Sequence, residues 1–212
     1  KGPTWQQAID KAEAGDTILV KSGTYKQGNV KLTRPLVIIG ENYPVLDGEN
    51  KHEIMTIYGK DVTITGLKFI NTGIASMNDV AAVNVYDGRR ILISDNQFED
   101  TFFAIHFSNS TESTVRDNRL QASATAEYEI GNGVHMWKCE HKTIHNNQIR
   151  GHRADRRCHE VLVVEIDLRR TGEQRNQRCG HGKLPDLARH RDRPPSIRLV
   201  PPPPPDGRSR FA

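Results

Sequence analysis

Four segments of the chain repeat one pattern: VTITGLKF (Val62 to Phe69), ILISDNQF (Ile91 to Phe98), STVRDNRL (Ser113 to Leu120) and KTIHNNQI (Lys142 to Ile149). Laid over one another, they align Ile64, Ile93, Val115 and Ile144 in one column and Phe69, Phe98, Leu120 and Ile149 in another. The separations of 29, 22 and 29 residues give a unit of about 22 residues with extra loop residues in two of the units. A unit that short cannot bury its own apolar face, so neighbouring units must stack to share a core.

The pattern inside each unit says what is stacked. Apolar residues alternate over a short run, the signature of a strand. Each run is interrupted before its closing apolar residue by Gly66-Leu67, Asp95-Asn96, Asp117-Asn118 or Asn146-Asn147. Asn and Asp tolerate the left-handed conformation and bond their own backbone, so these steps predict a sharp bend between two strands. A further strand precedes each unit, at Met55 to Ile57, Val83 to Val85, Ile105 to Phe107 and Val134 to Met136, spaced by 28, 22 and 29 residues. Two or three parallel strands per turn, apolar inside, predict an all-β fold: a right-handed parallel β-helix, or solenoid. The first coil needs a cover. Thr4 is placed to cap a short helix carrying Trp5, Ala8, Ile9 and Ala12 on one face, ended by Gly15-Asp16.

This organisation covers residues 1–153. The stretch 154–212 is of another kind. Lys1 to Arg150 holds 10 Lys and 6 Arg, whereas Gly151 to Ala212 holds 1 Lys and 13 Arg together with 8 of the 11 prolines. Such a sequence lacks the apolar residues for a core, and it reads as a poorly structured tail, either disordered or an out-of-frame continuation. A short strand at Val161 to Ile166 is the one element it allows. The charge divides with the sequence: 16 basic less 18 acidic residues leaves −2 before Gly151, and 14 less 8 leaves +6 after it. The basicity therefore belongs to the tail, and no nucleic-acid partner is expected. No apolar run reaches the length of a transmembrane segment. The three cysteines, Cys139, Cys158 and Cys179, define no disulfide framework.

Strand alternation also orders the outward side chains. In the column that precedes the repeats these are Thr56, Asn84, His106 and His135, on successive rungs about 4.8 Å apart. Two imidazoles at that spacing suit a shared metal ion, and Cys139 follows in the next turn. Imidazole with thiolate points to copper, so His106, His135 and Cys139 are the candidate metal ligands. A solvated polar ladder is the plainer reading of the same column. An enzyme acting on acidic polysaccharide would place paired carboxylates there. This column has none, although Asp79 and Asp87 lie nearby on one coil as candidate calcium ligands.

The segments TWQQAIDKAEAGDTILVKSGTY and LVIIGENYPVLDG, with the coils that follow, resemble the carbohydrate-binding and sugar-hydrolase class of β-helices. Within that class GNGVHMWKCEHKTIHNNQIRGHR (Gly131 to Arg153) resembles the NosD-like family of periplasmic maturation proteins for nitrous oxide reductase. The resemblance covers residues 1–153 and stops there, as expected of a truncated member. It implies an accessory protein that handles or delivers copper for the reductase's copper centre in the periplasm, with ABC transporter components and nitrous oxide reductase as partners. The alternatives are a polysaccharide lyase or epimerase of the β-helix class, and a noncatalytic carbohydrate-binding or scaffold module.

Overall fold

The structure is a computed structural model that describes residues 4–74, 80–123 and 129–152, and the backbone of residues 161–168. One short helix, α1 (Trp5–Lys11), is followed by strands that return again and again to three faces of a solenoid. The first face stacks β1 (Thr17–Val20), β4 (Val37–Gly40), β7 (Thr63–Thr65), β10 (Leu92–Ser94), β13 (Thr111–Arg116) and the start of β16 (Glu140–Arg150). The second stacks β2 (Thr24–Tyr25), β5 (Val45–Asp47), β8 (Lys68–Ile70), β11 (Gln97–Glu99), β14 (Arg119–Gln121) and the end of β16. The third stacks β3 (Val30–Leu32), β6 (Met55–Lys60), β9 (Ala81–Arg89), β12 (Phe103–Ser108) and β15 (Val134–Trp137). All these pairings are parallel.

Register confirms the aligned columns. Ile64, Ile93, Val115 and Ile144 are direct partners on the first face, and all are buried. Phe69, Phe98, Leu120 and Ile149 are partners on the second, where the Phe69 and Phe98 rings stack at 5.0 Å and 8°. Stacking like on like lets each coil fill the space the previous one leaves, at close to crystal density.

The bends between the first two faces show why the Asx steps are there. Asp95, Asp117 and Asn146 adopt φ of 53°, 57° and 54°, and Gly66 takes the same left-handed region at 71°. The following residue then points inward. Asn96, Asn118 and Asn147 are thereby buried in one column. Asn118 Nδ2 donates to Ile93 O and Arg116 O, both at 2.9 Å, and to Asn147 Oδ1 at 2.9 Å. Its Oδ1 accepts from the backbone N–H of Asn96 at 2.9 Å. The same carboxamide device recurs below, where Asn96 Oδ1 accepts from Leu67 N at 3.0 Å, and above, where Asn147 Oδ1 accepts from Asn118 N at 3.0 Å. Leu67 takes the same position one coil earlier, where the ladder ends in a buried apolar side chain.

At the N-terminal end α1 closes the first coil. Thr4 and Gln7 form a reciprocal capping box, and Trp5 and Ile9 are the buried residues of the helix. Trp5 meets Tyr25 edge-on at 5.6 Å. The helix ends at Lys11 with Ala12 as its C-cap, ahead of the Gly15-Asp16 signal. At the other end the strand allowed at Val161 to Ile166 is present and runs on: β17 (Val161–Leu168) lies parallel to β16, with register shifts between Ile144 and His145 and between His145 and Asn147. The rest of the predicted tail lies outside the described residues.

Lys142 is an inward residue that the alternation does not explain. It is the partner of Ser113 on the first face and is only 2% exposed. Among the described residues its Nζ has no hydrogen-bond acceptor, and it sits 4.4 Å from the centre of the Phe107 ring. Burial lowers its pKa from 10.5 to about 8, slightly countered by the nearby Cys139. That shift corresponds to a cost of about 3 kcal/mol at neutral pH, against about 2 kcal/mol for a desolvated cation–π contact.

Two expectations follow from this core. Asn118→Ala strips partners from two neighbouring coils at once and is expected to lose roughly 3 kcal/mol or more in urea unfolding, with no change of m-value. Lys142→Met is expected to stabilise the fold by about 1 kcal/mol at pH 7. Its advantage is constant below about pH 8 and shrinks as pH rises toward 10.5, because the unfolded chain then holds the lysine proton that the folded chain has released. Thermal melts of the two proteins across pH 7 to 10 check both the sign and the window.

Candidate functional site

The outer side of the third face carries most of the side chains with potential chemistry. Lys31, Thr56, Asn84, His106 and His135 are register partners in that order. They alternate with the core residues Met55 and Ile57, Val83 and Val85, Ile105 and Phe107, and Val134 and Met136, so they point away from the interior. Even so, Thr56, Asn84 and His106 are buried. The outer face is itself covered.

The cover is aromatic. Tyr86 meets His106 edge-on at 5.9 Å, and Phe103 stacks on His135 at 4.7 Å and 8°. Phe103 is buried but stands outside the core cluster that includes its neighbour Ala104. The two imidazoles lie 5.1 Å apart, centre to centre. His106 Nδ1 is 3.1 Å from Asn84 Oδ1, an acceptor, which places a proton on that nitrogen. His135 Nδ1 is 2.9 Å from Asn132 Nδ2, a donor, so that nitrogen presents its lone pair to Asn132. Metal ligation by this nitrogen requires the Asn132 contact to break.

Toward the first coil the ladder becomes acidic. Asn29 Nδ2 donates to Glu53 Oε2 at 3.0 Å and to Thr56 Oγ1 at 2.8 Å. Burial pushes the Glu53 carboxyl above the ordinary glutamate value, against the opposing hydrogen bonds of Thr56 and Asn84 and the charge of Lys31. Sequence reasoning missed Glu53, which falls in the turn before β6, outside both repeat columns. The only signal for it was its place three residues before an outward threonine.

The third sequence candidate stands apart from the imidazoles. Cys139 is buried within the core cluster, and its thiol donates to Trp137 O at 3.3 Å and Phe107 O at 3.5 Å. Ser110 makes the same bond one coil earlier, from Oγ to Ser108 O at 2.9 Å. Cys139 therefore occupies a corner position, on the interior side of the strand that presents His135 outward. Among the described residues no group of three or more His, Cys, Asp and Glu is arranged to hold a metal ion. Asp79 lies outside the described residues. Asp87 is left-handed at φ 53° and accepts from Asn109 Nδ2 at 2.8 Å.

Two residues further along each strand runs a second outward row: Tyr58, Tyr86, Ser108 and Trp137, again in direct register. Tyr58 and Tyr86 stack at 5.6 Å and 22°. Tyr58 is 41% and Trp137 48% exposed, two of the few large apolar side chains that face solvent among the described residues. Their exposure contrasts with the buried row beside them.

The family model for the right-handed β-helix region matches residues 46–161, more than half of the chain. The chain belongs to the right-handed β-helix family. No curated protein and no solved structure matches it. Membership of this β-helix family fixes the hand of the solenoid and accounts for the stacked columns. Among the described residues no helix is long and apolar enough to cross a membrane.

Proposed function

We propose that this β-helix is a binding module that holds a saccharide chain along the outer side of its third face. The observation that carries this reading is the in-register row Tyr58, Tyr86, Ser108 and Trp137 on a rigid parallel sheet, with the Tyr58 and Trp137 rings exposed at its two ends and Tyr86 half-buried. Aromatic faces suit the C–H faces of sugar rings, combining a large apolar contact with little loss of side-chain entropy. The row alongside, buried at Thr56, Asn84 and His106 and half-buried at Glu53 and His135, stiffens the platform rather than meeting the ligand. Four rungs span about 14 Å, enough for a short oligosaccharide.

A second reading rests on the in-register imidazoles. Their 5.1 Å separation would let His106 and His135 share a copper ion once Asn132 is displaced, and a copper-handling role in the periplasm beside nitrous oxide reductase and its ABC transporter would follow from the NosD-like block around His135. The burial of His106 and the interior place of Cys139 weigh against it. The saccharide reading is the better supported.

Screening the protein against oligosaccharides of galacturonan, alginate and chitin is expected to yield at least one ligand, whose affinity falls about tenfold, or ~1.4 kcal/mol, in Trp137→Ala. Absence of any ligand, or full affinity in Trp137→Ala, contradicts the proposal. In the parallel copper titration the saccharide reading expects His106→Ala/His135→Ala to match the parent protein. Copper affinity lost in that double variant would instead favour the second reading.

A further inference from the structure

We infer that the outer side of the first face is a self-association surface, on which a second copy of this chain packs about a two-fold axis parallel to the solenoid axis. This side is distinct from the third face, so the surface stands whether or not a saccharide binds there. Two outward rows run along it. One passes through Leu19, Ile39, Thr65 and Ser94, the other through Thr17, Val37, Thr63 and Leu92, each residue in direct register with the next. They alternate with the inward Ile18, Ile38, Ile64 and Ile93. None of the outward side chains on these four rungs is ionisable, although 26% of the chain is charged. The second face, built from the same coils, carries Lys68, Glu99 and Arg119 on its outer rows. Depletion of charge at the centre of a patch is the compositional mark of an interface. Leu19 is 52% exposed and Thr17 is exposed, Ser94 is buried, and the others are half-buried. Among the described residues no helix or strand lies over this side.

Periodicity selects the partner. Side-chain ridges repeat along the face about every 4.8 Å, and a second copy brings the same repeat, so its ridges fit the grooves between rungs along the whole length. The two-fold axis sets each rung against its counterpart and exchanges the rows: Leu19 meets Thr17, Ile39 meets Val37, and Thr65 meets Thr63. On the last two rungs Arg116 meets Thr114 and His145 meets Thr143, so neither basic side chain meets its own copy. The flanks match in charge. The chain enters the first, second and fourth rungs past Asp16, Arg34 and Arg90 and leaves them past Lys21, Glu41 and Asp95, so the axis brings opposite signs together. On the fifth rung both flanks are acidic, but Glu112 is already paired with Arg89 and Asp117 with Arg116. Six rungs span about 24 Å and the five residue steps from Asp61 to Gly66 about 17 Å, or about 400 Å² per copy, the size of a transient interface. Pairing here leaves the row of Tyr58 and Trp137 open on both copies.

Sedimentation equilibrium of the full chain tests the surface. Between about 10 and about 500 μM, the range a transient interface calls for, the mean mass is expected to rise from 23.9 kDa toward twice that value. Thr65→Lys sets an ammonium at the centre of the face and is expected to weaken association by about tenfold or more, with an unchanged melting temperature. Ile70→Lys sets the same charge on the outer side of the second face, between Asp47 and Glu99, and is expected to stay within about threefold of the parent protein. A parent protein that remains monomeric throughout overturns the proposal. So does parent-like association in Thr65→Lys, which would put the contact on another face or on an end of the solenoid. Equal weakening by both lysines also overturns it, by reducing the effect to net charge. Should Thr65→Lys fail to fold, Ile39→Thr keeps the β-branch and decides instead: association weaker by about threefold or more is expected, and parent-like association overturns the surface.

Discussion

A chain that turns sharply several times in each short coil must find partners for the backbone groups it buries at the corners. Here the inward carboxamides of Asn96, Asn118 and Asn147 do so. Each bonds to carbonyls of its own coil and of a neighbour, and each accepts an N–H from the coil below. Buried amide donors and acceptors left unmatched would each cost about 1–3 kcal/mol, so the ladder removes a penalty that apolar packing alone could not offset. It also fixes register. A coil that slips by one residue presents Asp95 or Asp117 inward in place of Asn, a buried charge in place of a satisfied amide.

Everything on the outer surface inherits that register. Because strands of the third face stack without offset through Asn84, His106 and His135, and again through Tyr86, Ser108 and Trp137, one outward position in a coil becomes a row along the molecule. The two rows have different fates. The first is roofed by Phe103 and by Tyr86 from the second row and works as a polar seam within a covered surface, while Tyr58 and Trp137 of the second row stay in solvent. A binding surface and its support are thus built from alternate residues of the same strands.

The fold was legible because its rule is periodic. Ile64, Ile93, Val115 and Ile144 repeat at intervals that only stacked coils explain, and the Asx pairs mark the corners by conformational preference alone. The site was less legible, for physical reasons. Strand alternation tells which side of the sheet His106 faces, but not that Phe103, from the start of the same strand, helps to roof the neighbouring rung. It places Cys139 near His135 in sequence, but the corner after β15 turns the thiol inward, into the position that Ser110 fills one coil earlier. Lys142 falls on an inward position where a lysine is unexpected, and only the Phe107 ring beneath it shows how the charge is accommodated. Tyr58, Tyr86 and Trp137 stand two residues beyond Thr56, Asn84 and His135, so alternation puts them on the same side, but it does not show that Tyr58 and Trp137 stay in solvent while the first row is covered.

Native-state hydrogen exchange at the amides of Leu67, Asn96 and Asn118 measures the asparagine ladder directly, since each donates to a buried carboxamide oxygen of the neighbouring coil. If the ladder holds the coils in register, these three amides exchange only through global unfolding, with the same free energy as the core amides of β10 and β13. Exchange at the fast rate of the exposed turns, while the flanking strands stay protected, would show that the coils are held by apolar stacking alone.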